Sequence, residues 1–122
     1  VVITAASFGP VTQVMTNDWL APDALVVAVD YATYAAAEVA REAVHFVVDE
    51  RGQFLANRAA GRFEGYPDPG LTLGEAILRG VGHPERGRVL VTHLGVGLAD
   101  LVFGREILAR ATAAGSGVEL PR

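Results

Sequence analysis

Four polar residues follow short apolar runs, at the places where β-strands would end. Thr4 and Ser7 follow the first run, Asp30 follows the second, and His93 follows the last. Open α/β sheets bind ligands at the carboxyl ends of parallel strands, so these side chains could exchange protons or hydrogen bonds with a ligand. Asp30 could instead be solvated or cap a helix, and Thr4 and Ser7 could cap turns. His93 could be a hydrogen-bonded core residue.

Gly95 and Gly97 supply a G-x-G between the last apolar run and a helical segment. A phosphate-binding loop needs a third glycine where the chain has Asp100, and a carboxylate there would repel a diphosphate. These residues by themselves predict a turn from strand to helix.

Other reactive groups are scarce. The chain has no cysteine, and its ten cations are all arginine, which excludes disulfides, thiolate metal sites, cysteine nucleophiles and lysine Schiff bases. His45 and His83 have no partner at metal-ligand spacing, so we expect no metal site. Residues 49–51 are expected to be the solvated start of a helix.

The composition limits the class of protein. The 122 residues suffice for one domain, 51% are hydrophobic, and the net charge is -4 with scattered cations, which argues against nucleic-acid binding. No apolar run approaches the ~18–20 residues of a membrane span. No charged leader precedes the first apolar run, so the cytoplasm is the expected location and no membrane partner is expected.

Valine-rich runs predict the strands that position these side chains, at residues 1–5, 25–29, 44–48 and 89–91 with its flanks. The runs are nearly continuous rather than alternating, which is typical of parallel strands buried on both faces.

Helices are predicted at residues 32–41, 49–60, 73–79 and 98–114. Thr72 and Glu75 have the spacing of a capping box, and Gly61, Gly80 and Gly115 mark helix ends. The last helix is apolar on two sides, so we expect it to pack between layers or in a subunit interface.

The expected fold is one α/β domain over residues 1–122, a parallel sheet with flanking helices and a long C-terminal helix packing across it. The first three strands are expected to be neighbours in chain order, with the fourth adjoining them. Because the chain opens inside a strand, we expect the second half of a nucleotide-binding sheet. Its exposed surfaces predict association with an upstream N-terminal segment or with a second copy.

Motifs along the whole chain resemble those of the ornithine cyclodeaminase and mu-crystallin family. In order they are VVITAAS at 1–7 with PV at 10–11, DWLAP at 18–22, VD at 29–30, VVD at 47–49 with Gln53, LGE at 73–75 with Gly80, the strand at 86–92, and GLA at 97–99. The resemblance implies the second half of a Rossmann-like NAD(P)-binding domain. It also implies NAD or NADP as cofactor, with binding incomplete in this chain because the phosphate loop of the family lies upstream.

The implied substrate is an amino acid or a cyclic imine that reacts by hydride transfer, with Asp30 as the catalytic residue. The implied cofactor-binding residues are Thr4, Ala5, Ser7, His93, Gly95 and Gly97. An alternative is a non-catalytic binding or interaction protein similar to mu-crystallin. The two interpretations differ in whether the chain is part of an active enzyme.

Overall fold

The computed structural model describes residues 1–6, 12–31, 34–118 and 120. Its elements in chain order are β1 (Val2–Thr4), a short 3-10 turn (Asn17–Trp19), β2 (Leu25–Ala28), α1 (Ala37–Glu42), β3 (His45–Val48), α2 (Arg51–Ala59), β4 (Leu71–Thr72), α3 (Leu73–Leu78), β5 (Val89–Thr92) and α4 (Gly97–Ala113).

The strands form one parallel sheet in the order β1-β2-β5-β3-β4. This confirms the predicted α/β class, a parallel sheet with flanking helices and a C-terminal helix. The expected strand order is wrong in one respect, because β5 lies between β2 and β3 and separates them. Val89, Leu90 and Thr92 are buried there, as suits a central strand covered on both faces.

The direction of each crossover explains where the helices lie. The chain steps across the sheet in one direction from β2 to β3 and on to β4, then returns in the other direction to β5. Right-handed crossovers therefore place α1 and α2 on one face and α3 on the other. Val39 of α1 and Phe54 of α2 accordingly belong to one buried cluster with Val26, Phe46 and Leu90 of the sheet.

Four aromatic rings fill the core beneath α2. Phe54 and Phe63 are fully buried with ring centroids 4.8 Å apart, and Phe46 meets Phe54 edge-on at 5.4 Å. Tyr66 joins them, 5.3 Å from Phe63. Each such pair contributes about 0.5–1.5 kcal/mol beyond the burial of its area, so this cluster anchors α2 to the sheet.

Helix α1 begins at Ala37, whereas the sequence predicts a helix from residue 32. Its N-cap position is Ala36, which has no side-chain acceptor, and Gln13 supplies one instead by accepting the N–H of Ala37 at 2.8 Å. The capping group comes from 24 residues away, so no local pattern marks this helix start.

The other helix starts follow local rules. Glu50 caps α2 by accepting the N–H groups of Gly52 and Gln53, and Thr72 with Glu75 forms the predicted capping box of α3. These two hydrogen bonds hold the pKa of the Glu50 carboxyl below its usual 4.5, and the bond from Gln53 has the larger effect. Gly80 ends α3 with a positive φ of 64°, a conformation that glycine adopts without strain.

The second face of the sheet is only partly covered. Helix α3 lies over its amino-terminal part and borders a cavity that extends to Val91. Ile3, Val27, Val29 and Val91 make up what we call the open face. Ile3 is 68% exposed and Val29 is 49% exposed, and Val27 and Val91 are half-buried. Registry places Ile3, Val27 and Val91 in one row.

Helix α4 does not pack across the sheet as expected. None of its residues is buried. Its six large apolar side chains are each 58–69% exposed and are Leu98, Leu101, Val102, Phe103, Ile107 and Leu108. The predicted two-sided apolar pattern is present, but both sides are exposed in the part of the chain that the structure describes. Among the described residues, no helix is long and apolar enough to cross a bilayer.

Candidate functional site

One row of the sheet at its carboxyl end carries two buried hydroxyls. Thr4, Ala28 and Thr92 are registry partners on neighbouring strands. Thr4 is 9% exposed and Thr92 is 1% exposed, and neither hydroxyl finds a hydrogen-bond partner among the residues that the structure describes. Buried hydroxyls are usually satisfied, so this row has capacity for further hydrogen bonds.

Asp30 lies just beyond this row and is only 4% exposed. Its two carboxylate oxygens accept the backbone N–H groups of Ala6 and Tyr34, each at 3.4 Å. Both structural interpretations of Asp30 are therefore wrong: the carboxylate is not solvated, and α1 begins seven residues later with a different cap. Asp30 instead links the segment after β1 to the segment after β2.

Tyr66 is a second buried polar side chain that the charge of Asp30 affects. Its phenol donates a hydrogen bond to the carbonyl of Ala35 at 2.6 Å. Burial, and secondly the negative charge of Asp30, raise the pKa of Tyr66 above its usual 10.0. The carboxylate is therefore close enough to the aromatic cluster for its charge to act there.

A cavity of about 280 Å³ opens at the end of β1, lined by Ile3, Thr4, Ala5, Ala6 and Tyr34. Two of these lining residues, Ala6 and Tyr34, donate their backbone N–H groups to Asp30. The carboxylate therefore links two segments that form the walls of the cavity. Thr4 and Ala5 lie at the cavity, whereas Ser7 falls outside the described residues.

His93 does not join this group. Its backbone N–H continues the ladder by donating to Ala28 at 2.8 Å, and its half-buried side chain follows the buried Thr92 in the strand alternation. Thr92 faces the core side with Ala28, so the alternation puts His93 on the side of the open face. Asp30 and His93 thus lie at the same edge but on opposite faces of the sheet.

Asp49, expected to be solvated, organises the turn that contains Gly95. Its Oδ2 accepts the N–H groups of Leu94 and Gly95 at 2.8 and 2.7 Å. Gln53 donates to the carbonyl of Gly95 at 3.2 Å, and Tyr31 donates to that of Leu94 at 3.2 Å. The position of Asp49 directly after β3 could have predicted this role, because residues at the ends of neighbouring strands lie beside one another's turns.

The two glycines form the predicted strand-to-helix turn. Gly95 has a φ of +84°, and Gly97 is the first residue of α4. The Gly95 N–H is already bonded to a carboxylate, so it is not available to a phosphate. The first turn of α4 also carries Asp100, which opposes an anion at this helix end.

A second cavity, of about 250 Å³, lies between α3 and the amino ends of the strands. Its lining is mostly apolar and includes His45 and His83. Among the described residues, no group of three histidine or acidic side chains is arranged to hold a metal ion. This cavity is at the opposite end of the strands from Asp30.

Comparison with known proteins identifies no family. No protein-family model matches the sequence, and no curated protein matches it.

Proposed function

We propose that this chain is part of an NAD(P)-dependent enzyme of the ornithine cyclodeaminase type, acting on an amino acid or cyclic imine by hydride transfer. The observation that carries the proposal is the cavity at the end of β1, two of whose lining residues donate backbone N–H groups to the buried Asp30. Carboxyl ends of parallel strands are where such sheets bind ligands, and a buried carboxylate there can serve as a proton acceptor.

In this proposal the cavity takes the nicotinamide end of a dinucleotide. Thr4 lines the cavity, and its hydroxyl is buried without a partner among the described residues, so a rotation of the side chain on binding would let it bond a ribose hydroxyl or a carboxamide. The turn at Gly95 does not fit the diphosphate, because Asp49 occupies its amides. When bound, the cofactor would supply the hydride chemistry.

The chain's own contribution is positioning and proton transfer. Asp30 fixes the backbone of Ala6 and Tyr34 and thereby the shape of the cavity. In the proposed reaction it also accepts the proton released by the substrate amine or by an attacking water. The apolar surroundings of Ala28 and the aromatic cluster exclude bulk water from its rear side.

The test uses reduced nicotinamide mononucleotide, which has the nicotinamide end alone, with ADP-ribose for comparison. We expect the mononucleotide to bind with a Kd on the order of 1 mM and to shift the amide NMR signals of Ala5, Ala6 and Tyr34. Thr4→Val should weaken binding at least threefold, whereas Thr112→Val, a change on exposed α4, should not. Tighter binding of ADP-ribose at the same amides would refute this assignment.

A non-catalytic interaction protein is the second candidate, and the uncovered apolar residues of α4 favour it. It predicts self-association or partner binding without any nicotinamide-dependent shift at the cavity. The mononucleotide titration therefore separates the two functions.

A further inference from the structure

The cavity between α3 and the sheet is built from three parts of the chain. Its floor consists of strand residues in two registry rows, which are Leu25, Val89 and His45 in the first and Val47 and Val91 in the second. Helix α3 supplies the wall, and the loop after it, residues 81–83, completes the lining. The cavity is thus a space between a helix and the strands beneath it.

The size of this cavity suits one small ring. Protein interiors are close-packed and contain few voids larger than a water molecule, so a space of about 250 Å³ between a helix and its sheet is unusual. An apolar cavity of about 150 Å³ already binds benzene, whereas pockets for larger organic ligands begin at about 300 Å³. The volume therefore fits a single ring with one or two small substituents.

Two imidazoles are the polar side chains of the lining, and the other lining residues are aliphatic or glycine. Nδ1 of His83 lies 2.8 Å from the carbonyl oxygen of Pro84. A carbonyl oxygen only accepts, so in the neutral ring Nδ1 carries the proton and Nε2 is left as an acceptor. His45 is half-buried, and a neutral imidazole always has one N–H to donate. The lining therefore combines an apolar surface with one acceptor and one donor.

We propose that this cavity binds a small uncharged ring that carries a hydroxyl group, of which a phenol is the simplest example. The ring packs against the aliphatic floor, and its hydroxyl donates to Nε2 of His83 and accepts from the N–H of His45. No lining residue carries a fixed charge, so a carboxylate or an ammonium group would lose its hydration there without compensation. The site lies at the opposite end of the strands from Asp30, so its ligand is distinct from the proposed dinucleotide and substrate.

NMR titrations with p-cresol and with toluene test the site, because the two molecules share one apolar body and differ by the hydroxyl. We expect p-cresol to bind with a Kd on the order of 1 mM, at least threefold more tightly than toluene, and to shift the amide signals of Ala76 and Gly82. His83→Leu should remove the difference between the two probes. Glu85→Leu, an exposed position in the same loop but outside the lining, should keep it.

Filling the cavity gives the second test. Ala76→Leu enlarges a side chain of the wall and should weaken p-cresol binding at least tenfold, whereas Leu78→Ala, at an 89% exposed position of α3 outside the lining, should not. Circular dichroism checks that each variant is folded. Equal affinity for p-cresol and toluene would refute the role of the histidines and the ligand class. Absence of saturable binding, or shifts centred on the exposed apolar residues of α4, would overturn the site itself.

Discussion

Replacing Asp30 by asparagine tests the candidate site most directly. The aspartate accepts one backbone N–H on each oxygen, from Ala6 and from Tyr34. Asparagine has one carbonyl oxygen, so its amide group must face one of these N–H donors. One partly buried N–H is left without this acceptor, and the negative charge is lost.

The size of the effect follows from burial and bond length. An unsatisfied buried donor costs about 1–3 kcal/mol, and bonds of 3.4 Å belong in the lower half of that range. We therefore expect a loss of about 1–2 kcal/mol, or roughly 4–8 °C in Tm for a domain of this size. Asp23→Asn, at an exposed aspartate, is the control and should change stability by less than about 0.5 kcal/mol.

Two further measurements test the buried position of Asp30 and its role in catalysis. The pKa of Tyr66 should fall in Asp30→Asn, although not to its usual value, because burial is the larger cause of its rise. If Asp30 is the proton acceptor, kcat of the complete enzyme should fall about 10²–10⁴-fold with substrate binding kept. If Asp30 only shapes the cavity, KM should rise instead. An unchanged Tm together with an unchanged Tyr66 titration would refute the buried arrangement.

Tyr66→Phe leaves the Ala35 carbonyl unsatisfied and should cost about 1–3 kcal/mol by urea denaturation. Because folding raises the pKa of Tyr66, the neutral phenol contributes to the folding stability below pH 10.0, and this contribution is lost as the pH rises further. The stability of Tyr66→Phe should therefore fall less with rising pH than the stability of the natural protein. The pKa of Glu50 is lowered, so its carboxylate contributes to the folding stability above pH 4.5, and this contribution is lost as the pH falls. In Glu50→Gln the Tm should therefore depend less on pH in the acid range. An unaltered dependence of Tm on pH would contradict the capping role of Glu50. Gly87 has a φ of +94° and a Cβ there would lie 2.3 Å from Val44, so Gly87→Ala should cost about 1–3 kcal/mol while Gly82→Ala, in open space, should cost little.

The sequence predicts the elements well where local chemistry decides them. Valine runs mark β1, β2, β3 and β5, and Thr72 with Glu75 marks the start of α3. The helix ends at Gly80 and Gly115 follow from the conformational freedom of glycine. These features depend on residues within a few positions of one another.

Features that depend on distant residues escape the sequence. The start of α1 is fixed by Gln13, and the turn before α4 is held by Asp49 and Gln53. The insertion of β5 between β2 and β3 is also not encoded in any local pattern, since each apolar run could pair with either neighbour. For the same reason the sequence predicts that Asp30 lies at the ligand edge but not that it is buried.

The return of the chain from β4 to β5 shapes both the candidate site and the coverage of the second face of the sheet. It places Thr92 beside Ala28, which completes the row of hydroxyls in front of Asp30. Because this step runs opposite to the two before it, its crossover helix α3 falls on the other face, over the amino ends of the strands. Among the described residues no helix covers the part of that face nearest β1, where Ile3 is 68% exposed. The chain leaves β5 at the carboxyl edge, where Asp49 accepts the N–H groups of Leu94 and Gly95 in the turn before α4. Substitutions on α4 should therefore leave the cavity at β1 intact, because none of the residues that line this cavity belongs to α4.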